Sequence, residues 1–268
     1  MATIKNPNNT VIILGSGSAT PTPQTSHSAQ VVTLSDKSFL VDCGEGTQLT
    51  MVRLGVKTAR LYSVFISHLH ADHCLGLLGL ISTLDHKKRT QPLHVYAHPD
   101  LEKIVRPVLD YFYKDKQMHF ELIFHDINPR KREIIFDDRT LMVETIPLKH
   151  RVPACGFLFI EKSRNQELVK RYAYCSDTKY YPSIVEQIQG VQTLYHEATF
   201  PEALVVRAAK AQHSTAKQAA SIAQQADVKK LIIGHFSACV KDHNVLLQEA
   251  QEVYSDTVLA VERTTIDI

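Results

Sequence analysis

The sequence predicts an α/β sandwich, with sheets inside and helices outside. Short apolar runs bounded by turn residues dominate the first half, which is how strands read. The last third alternates helical and strand-like segments, as β/α units do. The 268 residues are 44% hydrophobic and 22% charged, enough to bury a real core.

The elements follow in order. "VIILGSGSATPTP" reads as a strand running into a Gly/Pro loop. "AQVVTL" and "SFLVDCG" read as strands around the turn "SDK". "GTQLTMVRLG" reads as a helix closed by Gly55. "LYSVFI" is a buried strand, "LGLLGLISTL" an apolar helix and "LHVYA" a strand. "DLEKIVRPVLDYFY" is a helix for which Asp100 is the expected N-cap. "HFELIFHDI", "REIIF" and "TLMVETIPL" are strands, and "CGFLFIEK" with "LVKRYAYC" forms a hairpin. Then come the helix "YPSIVEQI", the strand "TLYHEATF" and the helix "STAKQAASIAQQA". Thr215 and Gln218 have capping-box spacing there. "VKKLIIGHF", "NVLLQEAQEVY" and "TVLAVE" complete the chain as strand, helix and strand. No repeat period, low-complexity tract or long linker stands out.

The net charge of +2 neither requires nor excludes a nucleic acid. The five cysteines are odd in number, widely spaced and without a CxxC, which points to reduced thiols in a cytoplasm. The N-terminus lacks a signal-peptide pattern, and no apolar run reaches membrane-spanning length.

Fourteen histidines is high for this length. Three of them crowd into "SHLHADH", where His68, His70, Asp72 and His73 follow the buried strand. In extended chain His68 and His70 point the same way, and the turn then sets Asp72 and His73 beside them. Packing gains nothing from three neighbouring imidazoles and a carboxylate. Such nitrogen and oxygen donors suit zinc, with manganese or iron possible. His150, Asp177 and His235 also follow apolar strands, where active-site groups of layered α/β folds collect. Two zinc ions bridged by a carboxylate would form a two-metal hydrolytic site.

At these residues the chain resembles the metallo-β-lactamase-fold hydrolases. Within them it is similar to the ribonuclease Z family, which trims the 3′ trailer from precursor tRNA. The similarity runs nearly end to end, through "LGSGSATPT", "VDCGEGTQ", "FISHLHADHCLGL", "KHRVPACGF", "YCSDT", "LYHEATF", "HSTAKQAA" and "IIGHFSA". "HEAT" and "HST" are the specific motifs; H-x-H-x-D-H is shared by the whole superfamily.

The resemblance implies a four-layer αββα sandwich, one domain over residues 1–268, with the site at the edge between two sheets. It implies one zinc held by His68, His70 and His150, a second held by Asp72, His73 and His235, and Asp177 between them. Asp72 would double as base. His213 would be the general acid that protonates the leaving 3′-oxygen, oriented by Glu197. Asp42 would orient a ligand through a hydrogen bond, and Gly44 and Gly46 would permit the turn after it. A homodimer is also implied.

Three departures bear on RNA recognition. Family members usually carry a protruding arm, in most bacterial members where this chain has only "IEKSRNQELVKRY". Lys162, Arg164, Lys170 and Arg171 are the charges there that could touch phosphate. After "HFSA" the chain reads Cys239-Val240 instead of Arg-Tyr, and "TPQTSHSAQ" offers only His27. Losing the arm is expected to weaken tRNA binding more than hydrolysis. The alternative reading is a zinc phosphodiesterase acting on small or unstructured substrates.

Overall fold

The computed structural model describes residues 9–163 and 167–268. In the first half, β1 (Thr10–Gly15), β2 (Ala29–Leu34) and β3 (Lys37–Val41) form an antiparallel meander. Then β4 (Leu61–Phe65), β5 (Leu93–Ala97) and β6 (Leu122–Asp126) add in parallel. The helices between them are α1 (Thr47–Arg53), α2 (Ala71–Cys74), α3 (Gly76–His86) and α4 (Asp100–Tyr113).

The second half repeats this plan. β7 (Ile134–Asp137), β8 (Leu141–Pro147), β9 (Cys155–Lys162) and β10 (Leu168–Cys175) are antiparallel. β11 (Thr193–Glu197), β12 (Lys230–Gly234) and β13 (Thr257–Leu259) follow in parallel. With them come α5 (Val185–Ile188), α6 (Val205–Ala211), α7 (Ala216–Gln225) and α8 (Asn244–Gln251). A short β14 (Thr265–Asp267) returns to pair with β1. The two sheets run β14-β1-β2-β3-β4-β5-β6 and β13-β12-β11-β10-β9-β8-β7.

Strand alternation builds the layers. Along β1, Val11 and Ile13 face the core between the sheets, while Ile12 and Leu14 face the helices. Along β9, Phe157 and Phe159 point inward, and Leu158 and Ile160 point to the opposite helical layer. Phe39, Phe65, Phe157 and Phe159 interlock at the centre, with Phe65 and Phe157 centroids 5.3 Å apart. The result is the αββα sandwich.

Several local expectations hold. Thr215 and Gln218 make the reciprocal capping box. Gly55 has φ +66 just beyond α1, where its N–H donates to the Val52 carbonyl. The hairpin of β9 and β10 closes with the Ser163 N–H donating to Glu167 O. Asp100 is a correction. α4 begins at Asp100 itself, after Pro99, without a side-chain cap, and the carboxylate instead binds Lys103 Nζ at 2.6 Å. Helix α3 turns Leu77, Leu80, Ile81 and Leu84 into the core and leaves Leu75 exposed ahead of it. The parallel β/α units are not confined to the last third, because β4 to β6 form a matching set. Pairing direction depends on where the crossover lands, which local sequence does not encode.

The charges of the arm-like stretch are spent locally. Lys162 binds Asp137, Arg171 pairs with Glu161 at 2.7 Å, and Lys170 Nζ donates to the carbonyls of Gln187 and Gln189. Arg164 lies outside the described residues.

The turn after β3 sets the first half of the site. Gly46 has φ +81, which favours glycine. Gly44 matters for contact instead, since a Cβ there would sit 2.3 Å from the Asp72 carbonyl oxygen. Gly44→Ala is expected to push the His70–His73 loop outward, costing about 1–3 kcal/mol as overpacking does. A lowered Tm together with weaker metal uptake checks this; an unchanged Tm would contradict it.

Candidate active site

The C-terminal ends of β3, β4, β10, β11 and β12 gather at one edge of the sandwich. They carry Asp42, the His68–His73 loop, Asp177, Glu197 and His235 respectively. His150 reaches the same place from the loop after β8. Asp42, Asp177 and His235 all have φ near +60, at 57, 60 and 59. Non-glycine residues in that region carry backbone strain, and such strain collects at functional sites.

Two donor groups share Asp177. Around its Oδ2 stand His68 Nε2 at 3.6 Å and His150 Nε2 at 3.5 Å. His70 Nδ1 lies 2.9 Å from His68 Nε2 and 3.2 Å from His150 Nε2. Around its Oδ1 stand His73 Nε2 at 3.2 Å and His235 Nε2 at 3.0 Å. Asp72 Oδ2 lies 3.4 Å and 3.8 Å from those two nitrogens. Donors held about 2.0–2.2 Å from one tetrahedral ion stand roughly 3.3–3.6 Å apart, close to this spacing. The structure therefore brings all seven predicted residues together, in two sets that meet at Asp177.

The residues fit divalent metal on a further count. The buried Nε2 atoms of His73 and His235 have no hydrogen-bond partner, which is costly unless an ion takes their lone pairs. The opposite nitrogens of His68, His73, His150 and His235 are fixed. His73 Nδ1 bonds Asp42 at 2.7 Å, and His150 Nδ1 bonds the Gln212 carbonyl at 3.0 Å. The Ser67 hydroxyl donates to Asp42 and so accepts from His68 Nδ1. The Thr199 hydroxyl donates to Glu197 at 2.5 Å and so accepts from His235 Nδ1 at 3.0 Å. In all four rings Nδ1 carries a proton and Nε2 faces inward, the atom that would take an ion.

Electrostatics agree. Burial holds His68, His70 and His150 below the ordinary histidine value, so they are neutral donors at pH 7. Burial acts against His73 too, but Asp177 and Asp42 overcome it and push His73 well up. Metal uptake there would displace a proton. Burial raises Asp72, yet the neighbouring His235 and His73 rings outweigh it and keep it ionised.

Glu197 and His213 stand beside the cluster. Glu197 is fully buried at the end of β11 and accepts from Thr178 N–H, Ser214 N–H, Thr199 Oγ1 and His213 Nδ1, the last at 2.9 Å. Burial pulls His213 down, but the Glu197 carboxylate outweighs it and raises His213 to about 9. Burial works upward on Glu197, while His213 holds it below the usual carboxylate range. His213 opens onto a cleft of about 700 Å³ that Asp72, Asp177, His150 and His235 also line. His27 lines it as well. So do Arg151, Arg207 and Lys210, which the sequence reading did not single out. Arg207 and Lys210 sit on α6, an unrecognised helix.

Fold and site together define a metallo-β-lactamase-fold metal hydrolase. A family model described as anti-Pycsar protein Apyc1 matches residues 9–254. Ribonuclease Z of Phocaeicola vulgatus is 44% identical, with 96% of this chain and 97% of that protein covered. Ribonuclease Z of Azobacteroides pseudotrichonymphae is also 44% identical, over 96% and 98%. The crystal structure of human tRNase Z, short form, superposes with TM-score 0.81 at 27% identity, covering 97% of this chain and 99% of that one. The metallo-β-lactamase-fold protein YhfI from Bacillus subtilis gives 0.75 at 21% identity, over 96% and 98%. The chain belongs to the ribonuclease Z family. The Phocaeicola alignment runs over 301 residues, more than the 268 of this chain, so that relative has internal segments without a counterpart here.

Asp42→Asn removes the charge behind His73. Metal affinity is expected to fall about 10–100-fold, measured by competition with a chelator. Parental affinity would mean that Asp42 does not orient His73 for metal.

Proposed function

We propose that the chain is a metal-dependent endoribonuclease that removes the 3′ trailer from precursor tRNA and leaves a 3′-OH on the tRNA. One observation carries this: the seven-residue histidine–aspartate cluster stands beside the Glu197–His213 pair in a member of the ribonuclease Z family.

His68, His70 and His150 would hold one zinc and Asp72, His73 and His235 a second, with Asp177 shared; manganese or iron fits the same donors. When bound, such ions lower the pKa of water and neutralise charge on the phosphoryl oxygens. The protein supplies the rest. Asp72 lines the cleft as an ionised carboxylate and orients the attacking water as base. Glu197 fixes His213 through Nδ1, which leaves Nε2–H to protonate the leaving 3′-oxygen. Arg151, Arg207 and Lys210 offer positive charge to the substrate phosphates.

The whole chain acts as one domain, supported by the core the two sheets share. A cytoplasmic location is supported by five unpaired cysteines. No described helix is long and apolar enough to cross a membrane. A homodimer is supported by exposed Leu49 and Val52 on α1 and by Leu75 at the head of α3, two helices that pack together.

The test incubates zinc-loaded protein with a precursor tRNA bearing a 3′ trailer. Cleavage just after the discriminator base, lost in His68→Ala, is expected. Absence of cleavage, with a small phosphodiester still hydrolysed, would overturn the tRNA assignment. His213→Ala should slow precursor cleavage by about 10²–10⁴. It should slow a bis-nitrophenyl phosphodiester far less, because nitrophenolate leaves without a proton; equal losses would remove the general-acid role. A general acid works only while protonated, so activity should fall as pH rises through about 9. Glu197→Gln should move that limb down toward the ordinary histidine value near 6.5.

A further inference from the structure

A second groove of about 360 Å³ opens beside the catalytic cleft and shares His150 and Arg151 with it. Arg130, Lys149 and Tyr181 line it, and no carboxylate does. Arg130 and Lys149 therefore continue the positive charge that Arg151, Arg207 and Lys210 begin in the cleft. All five are exposed. Among the described residues none of the five makes an ion pair with a carboxylate, whereas nearby Arg132 is tied to Glu144 at 2.9 Å.

The local structure keeps these charges available. Lys149 Nζ sits 5.5 Å over the Tyr181 ring, and the Arg207 guanidinium 5.2 Å over Phe200. An aromatic face steadies a cation without neutralising it. Glu133, the nearest acid on the Arg130 loop, turns its carboxylate to the Asn128 N–H at 2.7 Å. Lys149 has its backbone pinned on both sides, donating to Thr178 Oγ1 and accepting from the Lys179 N–H.

We propose that Arg130, Lys149, Arg151, Arg207 and Lys210 form a phosphate-binding strip that holds one RNA strand on its way through the active site. This rests on the endoribonuclease reading above. Phosphate contacts dominate nucleic-acid affinity, and this chain lacks internal segments present in its relatives.

The test uses the full-length, metal-loaded protein and the double variant Arg130→Ala/Lys149→Ala. The first readout is binding of a hydrolysis-resistant single-stranded RNA oligonucleotide by fluorescence anisotropy across a salt series. Losing two phosphate contacts should weaken binding roughly tenfold and make the slope of log K against log salt shallower by about 1.4. The second readout is precursor cleavage, where KM should rise by a similar factor with kcat little changed. Arg130→Lys/Lys149→Arg, which keeps both charges, should restore both values. Parental affinity and salt slope in the alanine variant would overturn the strip. So would an equal loss in the charge-keeping variant, which would show a packing effect. Because the oligonucleotide arm needs no cleavage, it decides the strip even where precursor tRNA proves not to be the substrate.

Discussion

Asp42 is fully buried, and its carboxylate accepts four hydrogen bonds from groups on both sheets. Oδ1 takes the Ser67 N–H at 2.8 Å; Oδ2 takes the Ser67 hydroxyl, His73 Nδ1 and the Tyr174 hydroxyl at 2.7–2.9 Å. Ser67 and His73 belong to the segment after β4 in the first sheet, and Tyr174 to β10 in the second. A buried charge survives only if its lone pairs are filled. Those bonds hold the segment after β4, the end of β10 and the first helix turn in one arrangement. The Cys155 N–H donating to Ser67 O crosses between the sheets at the same point.

Glu197 plays the matching part in the second half. Its four donors gather the loop after β10, the end of β11 and the segment before α7 around a second buried carboxylate. The inner donors therefore need little local stiffness of their own. His73 is aimed by Asp42, His213 by Glu197 directly, and His235 by Glu197 through Thr199. This explains how strained residues such as Asp177 and His235 are tolerated: the surrounding bonds over-determine them.

Much of this was legible in the chain. The H-x-H-x-D-H density has no packing rationale, and His150, Asp177 and His235 each end an apolar strand. Alternation and turn residues located nearly every element, and Thr215 with Gln218 marked a cap that exists. The internal duplication of seven strands was not legible, because it lies in pairing direction and not in residue identity. Helix α6 was missed because "VVRAAKA" is short and lacks a clear apolar face, and with it went Arg207 and Lys210. β14 is three residues long. Asp100 failed as a cap because Pro99 already occupies the position before the helix. The charges of "IEKSRNQELVKRY" looked available, yet Lys162, Lys170 and Arg171 are bound to neighbours, a fact that only tertiary contacts fix.

Arg130, Lys149, Arg151, Arg207 and Lys210 line the cleft and the groove beside it, so this positive surface and the chemistry share one edge of the sandwich. The account stands on the claim that the seven histidines and aspartates form two metal sites joined at Asp177. Metal analysis of zinc-loaded, desalted protein tests it most directly. Two equivalents per chain are predicted for the parent, with Asp177→Ala retaining fewer. A parent that holds one equivalent or none, or an Asp177→Ala variant that still holds two, would contradict it.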